Sequence, residues 1–455
     1  MDAQRSSMTS PRPLLVVSHD LVGSRMAGPG IRCWELTRVL ARSLPVVLAT
    51  PGRCDLTPLS GSSLSPYDPG DWGSLFAAVG QARAVLLSGD TLARFPALMD
   101  IETPLIVDGY DPHTLETLAL FSNSSQAEAR HDERERILQL QCRVGDFFLC
   151  ASERQRDWWL GLLEAAGRIN VHTYAQDPSL RRLVDVVPYG LRSSAPVHSR
   201  PVLKGVLPGI SPDDKVLLWG GGLWQWLDPL MAVRAVQQIR SQRHDVRLVF
   251  PGTRHPNQEA VPEMPTVRAA VDLAQTLGLL NESVFFGDWV PYEDWPDYLM
   301  EADVALSLHS DTVEARLAFR SRLLDYVWAG VPMVVTAGDA TSELVERYGL
   351  GRVVGFAEAE QVGRAILDLL VEPRSSRAVG FERARQALTW ERAALPLLAF
   401  AQNPQRAADK GFESADRFDQ DQQTELARLE ALVHGYESGR FIRFARWLHR
   451  LGHRE

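Results

Sequence analysis

The chain has 455 residues, of which 45% are apolar, 23% charged and 8% aromatic. This balance belongs to a soluble globular protein of two or three domains and excludes a collagenous, disordered or membrane-spanning chain. With 48 lysines and arginines against 57 acids, the formal charge is −9, whereas gripping duplex nucleic acid takes a basic footprint.

Short, nearly continuous apolar runs alternate with helical patterns from the start. Leu14 to Ser18 (LLVVS) reads as the first strand, and the loop holding Gly23, Gly28, Pro29 and Gly30 leads from it into a helix, CWELTRVLARSL. Val46–Ala49, Ala84–Leu87, Leu105–Asp108, Phe147–Cys150 and Val184–Val187 follow as strands. Strands that are apolar throughout, rather than alternating, belong to a parallel sheet covered on both faces. The pattern then restarts. A Pro- and Gly-rich stretch, VLKGVLPGISPDD, precedes Lys215–Trp219, and Gly220, Gly221 and Gly222 come directly after it. Val246–Phe250, Val284–Phe286, Val304–Ser307 and Val331–Thr336 continue the series, and Val353 and Val354 start one more strand. Two α/β units of similar size therefore stand in tandem, with the boundary near residues 195–210.

The four cysteines form no CxxC pair and no zinc spacing, which suits buried thiols in a reducing compartment. The opening MDAQRSSMTSPRP has no apolar stretch of the kind a signal peptide carries, and no run reaches the roughly 20 residues of a membrane span, so a cytoplasmic protein is expected.

In an open parallel sheet, ligands bind beyond the carboxyl ends of the strands. Three segments lie there. The loop SHDLVGSRMAGPGIR is glycine-rich and ends in a helix; a structural turn and a ligand loop fit it equally. WGGG at 219–222 would let a phosphate approach the backbone, and Asp228 beside it suits either a polar contact or a helix cap before Pro229. The stretch from 307 to 336 carries His309, Glu314, Arg320, Arg322 and Asp325 after a strand. Arginine suits a diphosphate because its planar fork donates to two oxygens, and Arg254 after VFPGT is a further candidate. The alternative is that Arg320 and Arg322 are surface residues paired with nearby acids. VDGYDPH follows another strand, with Asp108 and with His113 as a candidate proton shuttle.

GPGIR at 28–32, GGG at 220–222 and above all LLDYVWAGVPMVVT, with Asp325, Gly330 and Pro332, resemble the glycosyltransferases of the GT-B fold, in the style of glycosyl transferase group 1 or family 4. The resemblance covers about residues 12–400. It implies an α/β protein of two Rossmann-like parallel-sheet domains facing each other across a cleft, plus a C-terminal helical tail. It implies an acceptor domain at 12–200, a nucleotide-sugar domain at 201–381, a crossover helix at 382–400 that returns to the first domain, with Trp390 and Leu395 as core contacts, and a polar linker and basic helix at 401–455. The activity implied is transfer from a UDP- or GDP-sugar to a saccharide, lipid-linked or small-molecule acceptor, retaining and without metal, with no tightly bound cofactor and no nucleic-acid partner. Under it, Glu314, Arg320, Arg322 and His113 are catalytic. Gly220, Gly221, Gly222, Arg254, His309 and Asp325 hold the donor, and Gly28, Gly30 and Asp108 face the acceptor. The family's acidic pair is broken here, because Leu317 stands eight positions before Asp325 where an acid is usual. An epimerase of the same fold and a non-catalytic nucleotide-binding protein remain as alternatives.

At the far end, residues 436–455 carry five arginines and two glutamates, with Phe441, Phe444, Leu448 and Leu451 on one helical face. Such a helix suits either an anionic membrane surface, placing the protein on the inner face of the cell membrane, or packing against protein.

Overall fold

The computed structural model describes residues 11–122, 124–256, 264–356 and 358–410, together with Arg428. The basic helix expected at 436–455, and the linker beyond 410, lie outside the described residues.

Two all-parallel sheets carry the fold. The first has seven strands: β1 Leu14–Val17, β2 Val46–Pro51, β3 Ser62–Tyr67, β4 Ala84–Ser88, β5 Leu105–Asp108, β6 Phe147–Cys150 and β7 Val184–Val186, in the order β3-β2-β1-β4-β5-β6-β7. The second has six: β8 Lys215–Trp219, β9 Val246–Phe250, β10 Val284–Phe286, β11 Val304–Ser307, β12 Met333–Thr336 and β13 Gly351–Val354, in the order β10-β9-β8-β11-β12-β13. Leu14–Val17, Ala84–Ser88 and Phe147–Cys150 are buried along their whole length, as a sheet covered on both faces requires. The strand the apolar pattern does not announce is β3, whose sequence is SSLSPY. It lies at the sheet edge, where Pro66 needs no ladder partner on its open side and polar side chains meet solvent.

In each sheet the strand order reverses beside the first strand, between β1 and β4 and between β8 and β11. A crevice opens at such a switch point. The loops after β1 and β8 therefore face the same gap, one from each lobe.

The chain returns to the first lobe at its end. Leu191 bridges Thr389, Trp390 is buried with its ring 4.9 Å from Tyr189, and Phe400 stacks on Phe147 at 4.6 Å. Leu395 is 58% exposed, so it is not the core contact expected of it. Residues 401–410 are not a loose linker either. Ala407 joins the first lobe's core, and Asp409 forms a buried ion pair with Arg168 at 2.5 Å. The segment is polar because its docking is partly ionic. No helix among the described residues is long and apolar enough to cross a membrane.

Candidate active site

Between the lobes lies a cavity of ≈ 1040 Å³. Its first-lobe wall includes His19, Asp20, Gly28, Asp111, His113 and Glu116; its second-lobe wall includes Gly221, Gly222, Arg320, Arg322 and Asp325. That volume reaches the top of the roughly 300–1,000 Å³ usual for a single ligand, which leaves room for two substrates.

The glycine turn after β8 is shaped residue by residue. Gly220 donates its N–H to the Tyr326 hydroxyl at 2.7 Å, and a Cβ there would meet that oxygen at 2.8 Å. Gly221 adopts φ +76°, the left-handed region that favours glycine. Gly222 accepts a hydrogen bond from Arg322 at 3.3 Å. Gly221 and Gly222 line the cavity, while Gly220 braces the turn from behind. Asp228 proves to be a cap: its carboxylate accepts from Met231 N–H at the head of helix Pro229–Arg240.

Arg320 and Arg322 sit differently. Arg320 is spent on acids: it donates twice to Glu314, at 2.9 and 2.8 Å, and its Nε lies 3.7 Å from Asp339. Arg322 has no carboxylate within ion-pair distance among the described residues. Its Nη1 is buried with no hydrogen-bond partner, and burial depresses its pKa to about 10. It also opens the helix Arg322–Ala329, which Ser321 heads without a side-chain cap. A half-satisfied guanidinium and the positive end of a helix thus meet at one point of the cavity wall.

Asp325 lies one turn further along, accepting from Trp295 Nε1 at 3.0 Å. Burial raises its pKa to about 6, against the pull of Arg192. An aromatic rim, Trp224, Trp226, His255, Trp289, Tyr292 and Trp295, surrounds this side. Of these, Trp289 and Tyr292 come from the loop after β10 and Trp295 from the first position of the helix Trp295–Glu301 that follows it. Their signal was legible in GDWVPYEDW, an aromatic-rich segment directly after a strand.

On the first-lobe side, His113 Nδ1 lies 3.5 Å from Glu116, and Asp111, His113 and Glu116 bring their donor atoms within 4.8 Å of one another. This trio could converge on a cation. Burial opposes charge on His113, but Glu116 and Asp111 outweigh it, so its pKa is raised. Burial, with repulsion from Glu116, lifts Asp111 to about 7. His19 is pushed the other way, to about 4, by burial and by His113.

Five further residues of the sequence reading stand away from the cavity. Asp108 is buried in a bidentate pair with Arg32, at 2.7 and 2.8 Å, and so braces the sheet. Gly30 serves packing, because a Cβ there would lie 2.2 Å from the Leu21 carbonyl oxygen. Arg254 is exposed and outside the lining. Glu314 is buried behind Arg320, and His309 is buried 3.5 Å from Asp339, both behind the wall. Gly28, Gly221, Gly222, His113, Arg320, Arg322 and Asp325 do meet around the cavity.

Twin parallel-sheet lobes with opposed switch points and a shared cleft define the GT-B class. Residues 214–372 match the family Glycosyl transferases group 1, so the second lobe is a domain of that family and the chain is a glycosyltransferase. Among solved structures, the chain is similar to sucrose-phosphate synthase from Thermosynechococcus elongatus, at 15% identity and TM-score 0.57, over 86% of this chain and 98% of that one. It is similar to WaaG, a glycosyltransferase involved in lipopolysaccharide biosynthesis, at 18% identity and TM-score 0.55, over 88% of this chain and 100% of that one. It is also similar to Anabaena HepE, solved in complex with UDP and glucose, at 13% identity and TM-score 0.59, over 86% of this chain and 100% of that one. At these identities the likeness speaks for the fold. No curated protein matches the sequence.

Proposed function

We propose that the protein moves a sugar from a nucleoside diphosphate donor, UDP- or GDP-linked and seated against the second lobe, to a saccharide, lipid-linked or small-molecule acceptor seated against the first. The observation that carries this reading is Arg322. A half-buried guanidinium with a buried, unpartnered Nη1, at an uncapped helix start beside a glycine turn, is matched to a diphosphate. As the bond to the anomeric carbon breaks, negative charge grows on the leaving diphosphate. Arg322 and the helix terminus lower that barrier because they already point there. This supply of positive charge is why the reading has no divalent metal. Retention of configuration follows the family resemblance.

Asp325, one turn from the diphosphate site, is matched to the ribose hydroxyls as an acceptor. His113, with Glu116 on its Nδ1, is matched to a hydroxyl of a sugar from the opposite wall. Glu314 is read here as the holder of Arg320 rather than as a sugar contact. HepE, solved with UDP and glucose, makes UDP the first nucleotide to try.

The test is a panel of UDP- and GDP-sugars with saccharide and lipid-linked acceptors, reading released nucleoside diphosphate and glycosylated product. Acceptor-dependent release that Arg322→Ala abolishes is expected. A donor isomerised without acceptor would make the protein an epimerase, and nucleotide binding without turnover across the panel would make it a binding protein.

A further inference from the structure

Gln155 belongs to the first lobe, in the helix Glu153–Ala165, and is 1% exposed. Its amide nitrogen donates one hydrogen to the Tyr110 carbonyl at 2.7 Å and the other to the Leu317 carbonyl at 2.8 Å. Its amide oxygen accepts from the Ala151 N–H at 2.6 Å. The orientation of the amide is fixed by these partners. A flipped group would set its oxygen against two carbonyls and its NH₂ against an N–H.

The two carbonyls belong to the two sides of the cleft. Tyr110 immediately precedes Asp111 and lies in the segment that ends in His113, on the first-lobe wall. Leu317 opens the second-lobe segment 317–322, in which Phe319, Arg320, Ser321 and Arg322 all line the cavity. That segment is already held from its own lobe by the Glu314–Arg320 pair. From the first lobe it is held by Gln155. The position that lacks the expected acid is thus the one whose backbone is gripped across the cleft.

We infer that Gln155 is a positioning residue: it couples the acceptor-side loop to the phosphate-side loop and sets Leu317–Arg322 in register when the lobes are together. The inference rests on the donor reading above. A side chain so buried has no water to replace a lost partner, so a missing donor leaves a carbonyl unsatisfied and the segment displaced. The consequence falls on the part of a nucleotide that meets Arg322, the diphosphate, and not on its nucleoside.

The test uses the full chain and calorimetric titration of UDP against uridine and of GDP against guanosine. The preferred diphosphate is carried forward. Gln155→Glu is isosteric, keeps the acceptor for Ala151 and removes both donors. Its preference for diphosphate over nucleoside is expected to fall about tenfold at neutral pH, the scale of one buried hydrogen bond, with nucleoside affinity unchanged. Partial recovery is expected at acid pH, where a protonated carboxyl donates once. If Gln155→Glu does not fold, Gln155→Met removes the same donors without adding charge and carries the same expectation. Folded variants that keep the wild-type preference overturn this inference alone. Equal loss of diphosphate and nucleoside affinity also overturns it, because that marks general damage. Wild-type protein that binds neither diphosphate more tightly than its nucleoside overturns the donor reading, and this inference with it.

Discussion

Two arginines buried in the first lobe and one half-buried arginine of the second are used in opposite ways. In the first lobe Arg32 is paired to Asp108 and Arg168 to Asp409, each inside the protein with its carboxylate at hydrogen-bond distance. In the second lobe Arg322 lines the cleft with no carboxylate beside it among the described residues and one nitrogen unpartnered. Desolvating a cation is costly, and a guanidinium left half-satisfied on a cleft wall stands ready for a ligand that completes it. The first two arginines are matters of stability, and on the proposed reading the third is a matter of binding. Even Arg320, two positions before Arg322, falls on the structural side because Glu314 has claimed it.

The largest effect expected from that contrast is on folding. Asp108→Leu strands the Arg32 charge in the interior, and urea unfolding is expected to show a loss of about 3–5 kcal/mol. Next, Arg322→Leu is expected to lower donor turnover by about a hundredfold or more while leaving the thermal midpoint unchanged or raised. A drop in stability as large as that of Asp108→Leu would erase the distinction between the two arginines.

A smaller effect concerns pH. Burial holds the Asp325 carboxyl at about 6, above its ordinary 3.8. Between those values the folded protein keeps a proton that the unfolded chain has released. The Asp325 contribution to wild-type stability therefore declines as pH rises through that window and levels off above it. Asp325→Asn lacks this decline, so its stability relative to wild type should climb over the same window. Nucleotide affinity should run the other way in the wild type, rising as the carboxylate ionises to accept from ribose, and stay flat in the variant. Smallest of all, Arg254→Ala should change UDP affinity by no more than about twofold, since surface substitutions away from such features usually cost within about 0.5 kcal/mol. A tenfold loss would bring that exposed arginine back into the donor site.

The fold was legible where burial on both faces leaves a continuous apolar run, as in LLVV or FFLC. It was not legible at SSLSPY, because an edge strand needs no such run, nor at 401–410, because an ionic contact such as Arg168–Asp409 looks like solvent-facing polarity in a sequence. In the site, the glycine turn, His113 and Asp325 could be read from their place after strands. The division of labour between Arg320 and Arg322 could not. It depends on a short turn that folds Glu314 back six residues, a distance no spacing rule resolves. Gln155 was likewise silent, since a lone glutamine in an amphipathic helix carries no signal until its two carbonyl partners are in place.

The polypeptide passes from one lobe to the other twice, once between β7 and β8 and again as it comes back to meet Leu191 at Thr389. Two covalent straps that lie side by side act like the paired hinges of a door. Any relative movement of the halves must pass through these two adjacent crossings. If a nucleotide sits on one leaf and its acceptor on the other, as proposed, the alignment of the reacting atoms is constrained by the path of the backbone.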